Sequence, residues 1–227
     1  MQAKTPVNAD PNKVVVINTN EMPWASTGQP GVAQKVMERV IDPRKGRETS
    51  LVKLDAGAHL PTEVLDERMD IFVLEGSFQD EQGSYGAHTF VRNQPGYRFT
   101  ASSTDGCVMY MKRRVPIQEH DTERMVIDGK TAQWTPFPHR GADVLHLYRD
   151  MHGIETSRFG SVHPQKKIPS HDHAMGEETF IVKGVLKDEY TAYTPGVWFR
   201  MPIGIPHAPY TEDESCMMLI REGDLVW

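Results

Sequence analysis

Hydrophobic positions in this chain come in short bursts rather than in long helical stripes. The runs Ile71–Phe78 (IFVLEGSF), Cys107–Lys112 (CVMYMK), Glu178–Leu186 (ETFIVKGVL) and Val197–Met201 (VWFRM) are rich in β-branched and aromatic residues, and turn-forming Gly, Pro or Asp residues flank each of them. This pattern predicts short strands. Glycine and proline punctuate the whole chain, so the expected class is all-β, a sandwich or a barrel. A VVVI run at Val14–Ile17 is a candidate edge strand ahead of a Pro/Gly-rich stretch, Pro23–Gly31, which the pattern does not place.

The bursts repeat. A shift of 108 positions lays the first half on the second without a gap, from Pro61 on Pro169 to Arg113 on Arg221. Phe72/Phe180, Gly76/Gly184, Asp80-Glu81/Asp188-Glu189, Arg92/Arg200, Gly96/Gly204 and Met109/Met217 fall in register, and Trp24 and Trp134 precede the two copies. The expected organisation is a first domain over residues 1–118 and a second over 130–227. Polar Val115–Gln133 reads as a linker between them.

Composition narrows the function classes. The 227 residues carry 25 Lys plus Arg against 31 Asp plus Glu, a net charge of −6, which argues against a nucleic-acid partner. No apolar run has the roughly 20 residues of a membrane helix, and the opening MQAKTPVNADP is too polar for a signal peptide, so a cytoplasmic protein without a membrane partner is expected. Cys107 and Cys216 form neither a disulfide framework nor a CxxC motif. In the 108 register they sit one position apart, and opposite faces of their sheets are predicted for them.

The chemistry lies in the second copy. His171, His173 and Glu177 form an HxHxxxE string, followed by Gly184, and His207 lies thirty residues beyond Glu177 in GVWFRMPIGIPH. Two histidines at alternate strand positions point the same way, the short loop Ala174–Gly176 brings Glu177 round, and an antiparallel return delivers His207. Three imidazoles and a carboxylate make a mixed nitrogen and oxygen site suited to Zn, Fe, Mn, Ni or Cu.

These residues resemble the two motifs of the cupin superfamily. G(X)5HXH(X)3,4E(X)6G is matched at His171, His173, Glu177 and Gly184, with Gln165 for the leading glycine. G(X)5PXG(X)2H(X)3N is matched at Gly196, Pro202, Gly204 and His207, with Thr211 for the asparagine. The strings HDHAMGEETFIVKGVLKDE and PGVWFRMPIGIPHAPYTED are most similar to the cupin domain of ChrR-type anti-ECF-sigma factors. The resemblance implies tandem jelly-roll barrels, a bicupin, with one divalent metal at His171, His173, Glu177 and His207. Zinc is the first expectation for that metal, with Fe, Mn and Ni as alternatives. No HxxxCxxC string of the sigma-binding zinc domain occurs, so the metal-binding module alone is expected.

The first copy has Glu63, Leu65, Met69 and Phe99 at the four ligand positions. A dry apolar core is predicted there, the alternative being a site from His59 with Glu63, Asp66 or Glu67. Residues shared by both copies, Arg92/Arg200 and Asp80-Glu81/Asp188-Glu189, are read as fold elements. Glu178 is placed on the face opposite Glu177; Phe180, Tyr190, Tyr193 and Trp198 are read as core; His139, His146, His152 and His163 have no motif context.

Two functions compete. One is a sensory metal module with a small-molecule ligand at the metal; the other is an enzyme resembling metal-dependent dioxygenases of the cupin class, for which no catalytic acid or base is named. Open barrel edges and the N-terminal segment predict a homodimer closed by strand exchange.

Overall fold

The computed structural model describes residues 4–44, 46–114, 123–223 and 225. In chain order the strands are Val15–Asn18 (β1), Ala25–Ser26 (β2), Val32–Val40 (β3), Arg47–Leu54 (β4), Glu63–Val64 (β5), Arg68–Asp80 (β6), Gly83–Gly86 (β7), Thr89–Asn93 (β8), Arg98–Phe99 (β9), Cys107–Arg114 (β10) and Met125–Asp128 (β11). They continue with Thr135–Phe137 (β12), Ala142–Arg149 (β13), Thr156–Val162 (β14), Glu177–Lys183 (β15), Leu186–Lys187 (β16), Ala192–Tyr193 (β17), Val197–Met201 (β18) and Cys216–Glu222 (β19). Two single 3-10 turns are the helical elements among the described residues.

Two jelly-roll barrels result, and their main sheets correspond strand for strand. One runs β11-β8-β6-β10-β4-β3-β2, with β7 on β6; the other runs β1-β18-β15-β19-β14-β13-β12. The two-stranded ladder β5-β9 of the first unit has its counterpart in the bridge between His171 and His207. Each barrel ends on a strand from a remote stretch of chain. Val15–Asn18 lies antiparallel on β18, and Met125–Asp128 lies antiparallel on β8. The first compact unit is therefore Met22–Thr131 with the described residues before Asp10, and the second is Asp10–Glu21 with Ala132–Trp227. The candidate edge strand is thus accommodated within the chain itself. The stretch read as a linker is corrected in part: Met125–Asp128 is a strand, because Val126 and its neighbours can complete the open edge of β8, while residues 115–122 lie outside the described set.

The apolar runs are unbroken where a strand is covered on both faces. Every residue of Thr89–Asn93 and of Val197–Met201 is buried, which explains why TFVRN and VWFRM lack simple alternation. The arginine inside each run is satisfied by a partner, as burial of a guanidinium demands. Arg92 makes two 2.7 Å hydrogen bonds to Asp70, and Arg200 donates to the carbonyl of Asp10. A fold role for this pair accounts for its presence in both copies.

Gly76 and Gly184 show why the motif ends in glycine. Both have positive φ, 68° and 73°, at the bulges that bend β6 and β15. A Cβ there would lie 2.0 Å from the carbonyl oxygen of Gly106 or Ser215, so no side chain fits. The 108 register holds through Phe99/His207 and fails only in the loop that follows. Cys107 pairs with Leu54 and Cys216 with Val162, and Leu54 and Val162 are themselves equivalent, so the cysteines occupy the same position. Met109 matches Met218 rather than Met217. One extra residue in the loop before β19 causes the slip, and the prediction of opposite faces for the cysteines is overturned: both are buried in the cores of their units.

Candidate metal centre

The site is built where the chain enters β15 and where it leaves β18. His171 and His207 face each other in an antiparallel bridge, with N–H to carbonyl distances of 3.0 and 2.9 Å in the two directions. Two residues further on, His173 accepts the N–H of Gly176 on its carbonyl, and the positive φ of Gly176 turns the chain so that Glu177 opens β15. Gln165, standing where the motif has its leading glycine, adopts φ +56° in glycine's place. Thr211, in place of the asparagine, bonds the carbonyl of His163 at 2.5 Å and so ties the same loops.

The three imidazoles converge. Ring centroids lie 5.0 Å apart for His171 and His173, 4.8 Å for His171 and His207, and 5.3 Å for His173 and His207. Their ligand atoms fall within 4.8 Å of one another. Glu177 joins through His173, its Oε2 lying 3.1 Å from Nε2, and its Oε1 accepts from Thr179 Oγ1 at 2.9 Å. His173, Glu177 and His207 are buried, while His171 is partly open.

Hydrogen bonding fixes which nitrogen of each ring faces inward. The Nδ1 atoms of His171, His173 and His207 lie 2.9 Å from the carbonyl of Pro169, 3.0 Å from Glu222 Oε1 and 3.3 Å from Asp188 Oδ2. A carbonyl and two ionised carboxylates only accept, so Nδ1–H donates in all three rings. The Nε2 atoms then carry the free lone pairs. Those of His173 and His207 are 3.1 Å apart and that of His173 is also 3.1 Å from Glu177 Oε2, contacts between lone pairs that a cation or a proton among them would relieve. This is the outer-shell arrangement that orients metal-ligating histidines, and the donor set fits a divalent metal.

The local electrostatics agree. Burial, with the charge of Arg140 adding to it, lowers the His171 pKa. Burial would also lower that of His173, but the Glu177 and Glu222 carboxylates outweigh it and raise the value. Burial pushes Glu222 upward; hydrogen bonds from His173 and Arg158 reverse this and hold it well below the usual carboxylate range. Asp188 is likewise lowered against burial, by His207, by the N–H groups of Thr191 and Tyr190 and by the Tyr193 hydroxyl.

The centre stands at the wall of a cavity of about 490 Å³ inside the second barrel. Val144, Val162, Ile168, Met218 and Ile220 give the cavity an apolar body, and Arg140, Arg149 and Arg158 line it as well. Phe180, Tyr193 and Trp198 lie in the core instead and Tyr190 is exposed. Glu178 sits opposite Arg200 and Arg221 in the sheet, away from the cavity. Of the histidines without motif context, His146 lines the cavity and His163 pairs with Asp143 at 2.8 Å.

Three participants lie outside the motif. Glu222 on β19 and Asp188 in the shared turn hold two of the rings, and Arg140 Nη1 lies 2.8 Å from His171 Nε2. Asp188 had a signal, since it recurs as Asp80, but in the first barrel that carboxylate binds Tyr85 and Arg124 instead of an imidazole. In that barrel Leu65, Met69 and Phe99 are fully packed in the core, as expected. Among the described residues no site forms around His59: Glu63 and Glu67 bind Arg113, and the His59 ring meets Gln29.

Jelly-roll barrels with such a cluster of imidazoles and carboxylate define the cupin class. The ChrR Cupin-like domain family matches twice, over residues 12–116 and 122–226, and the chain belongs to that family. No curated protein matches it. Solved structures share the fold at low identity. A provisionally assigned dioxygenase of Nostoc punctiforme superposes with a TM-score of 0.80 at 14% identity, over 96% of this chain and 85% of that one. The oxalate decarboxylase of Lactobacillus farciminis, solved with formate, gives 0.67 at 12% over 93% and 86%. That of Bacillus subtilis, described with Mn(II) centres, gives 0.66 at 11% over 99% and 79%. No helix among the described residues is long and apolar enough to cross a membrane.

Proposed function

We propose that the second barrel holds one divalent metal, zinc, through His171, His173, Glu177 and His207, and that it works as a sensory module in which a small molecule binds at that metal. The observation that supports this reading is the convergence of three Nε2 lone pairs, each ring held from behind through Nδ1, at the wall of a 490 Å³ cavity. A divalent ion held by these residues would supply Lewis acidity beside that cavity. The protein does the rest: Glu222 and Asp188 keep the rings in one tautomer, and Thr179 orients Glu177.

A second reading, an oxygenase with iron in the same position, draws on the same open cavity and on the likeness to the Nostoc protein. Elemental analysis separates the two. One zinc per chain and no oxygen uptake with acetylacetone are expected; iron with oxygen uptake would establish the oxygenase. Metal content should fall from one per chain to about a tenth of that or less in the doubly substituted His171→Ala, His207→Ala protein. Unchanged metal content there would refute the site.

A further inference from the structure

Arg140 has an unusual position for a charged group. It is the last residue of a 3-10 turn, Pro138–Arg140, that closes on Gly141 in the left-handed conformation, and this turn aims the guanidinium into the cavity. Its hydrogen-bond partner among the described residues is the Nε2 of His171, a neutral nitrogen and the atom the proposed metal requires. No carboxylate of the described residues pairs with it. By contrast Arg158, on the same cavity, is bound to Glu222 at 2.9 Å and to Thr156 at 3.1 Å and is committed to holding the site together.

Charge in the cavity is therefore unbalanced. Arg140, Arg149 and Arg158 line it against Glu177 and Glu222, and a divalent ion would add to the positive excess. An anion is the natural complement, and a planar guanidinium selects a carboxylate through paired N–H donors. Beyond the charged end, the walls are the side chains of Val144, Val162, Ile168, Met218 and Ile220, which offer an apolar body nothing to hydrogen-bond.

We propose that Arg140 is the carboxylate anchor of this cavity, and that the ligand is a small 2-oxo or 2-hydroxy carboxylate with an apolar body. The idea rests on the metal reading above. Until metal arrives, Arg140 occupies the His171 nitrogen; afterwards its N–H donors turn to the ligand's carboxylate. Arg140 thus competes with the metal for His171 but cooperates with it in holding the anion.

The test uses the full-length zinc-loaded protein with benzoylformate as the probe, titrated calorimetrically, and acetophenone as its neutral counterpart. Benzoylformate binding is expected with acetophenone silent. Arg140→Met should weaken benzoylformate by about tenfold to a hundredfold, and Arg140→Lys should recover part of that loss. Zinc affinity of Arg140→Met, measured separately by competition with a chelator, should equal or exceed that of the parent. Equal benzoylformate affinity in parent and Arg140→Met, or tight binding of acetophenone, would overturn the anchor. So would failure of the zinc protein to bind benzoylformate, pyruvate or benzoate. A protein that takes up no zinc would instead overturn the metal reading, so the two failures are distinguishable.

Discussion

The two barrels show how one backbone frame supports opposite interiors. In the second, His171 faces His207 across a bridge, and Glu222 supports the ring of His173. In the first, Glu63 faces Phe99 in the equivalent ladder, and Arg113 stands where Glu222 does. Arg113 binds both oxygens of Glu63, at 2.8 and 2.9 Å, and reaches Glu67 at 2.5 Å. Leu65, Met69 and Phe99 stand where His173, Glu177 and His207 stand in the twin, and all three are buried. One barrel carries its positive charge as part of the chain, and the other leaves room for a charge from outside. The positions equivalent to the imidazole cluster are thus filled in the first barrel by apolar side chains and an internal ion pair.

The largest contrast to test is in packing. Phe99→Ala should destabilise the first barrel by about 3–5 kcal/mol, because a fully buried ring leaves a cavity. His207→Ala in the zinc-free protein should cost less, since its neighbourhood already borders open space. Chemical denaturation of each variant decides, and a cost below about 1 kcal/mol for Phe99→Ala would show that the first barrel is not the packed twin described here.

A smaller difference concerns the carboxylate that the first barrel lacks. The Glu222 pKa in the folded protein is held below its ordinary value of 4.5, so its stabilisation is fully present above pH 4.5 and is lost as pH falls through the folded value. In zinc-free protein, Glu222→Gln should therefore cost about 1–3 kcal/mol near neutral pH, with the gap to the parent closing in acid. A gap that stays constant down to pH 2 or widens would show that Glu222 does not act through its charge.

The smallest expected effect is a likeness between the barrels. Burial pushes the Cys216 thiol up to about 12 and raises Cys107 as well. Neither should react with a disulfide reagent at pH 8 in the native state, and both should react once the chain is unfolded. Selective labelling of one cysteine would place that residue outside its core.

Strand positions, and the meeting of the three imidazoles with Glu177 against His173, were legible because they depend on local spacing. IFVLEGSF and VWFRM became β6 and β18, since apolar runs between turn residues have few other ways to be buried. Gly184 and Gly76 were recognisable for a related reason, each marking a bulge where a Cβ would strike a carbonyl. The slip before β19 was hidden, because one residue added to an exposed loop leaves both flanking runs intact and only strand pairing reveals the new register.

By itself the sequence determined that the chain is a duplicated β-protein and that three histidines and Glu177 of the second copy belong together. Tertiary structure decided which nitrogens face the centre, through Asp188 and Glu222, and that Arg140 is aimed at the same point. It also decided that Val15–Asn18 completes the second barrel and Met125–Asp128 the first. The reason is physical: motif spacing is written along the chain, whereas hydrogen-bond partners and edge pairing join residues that only folding brings within a few ångströms.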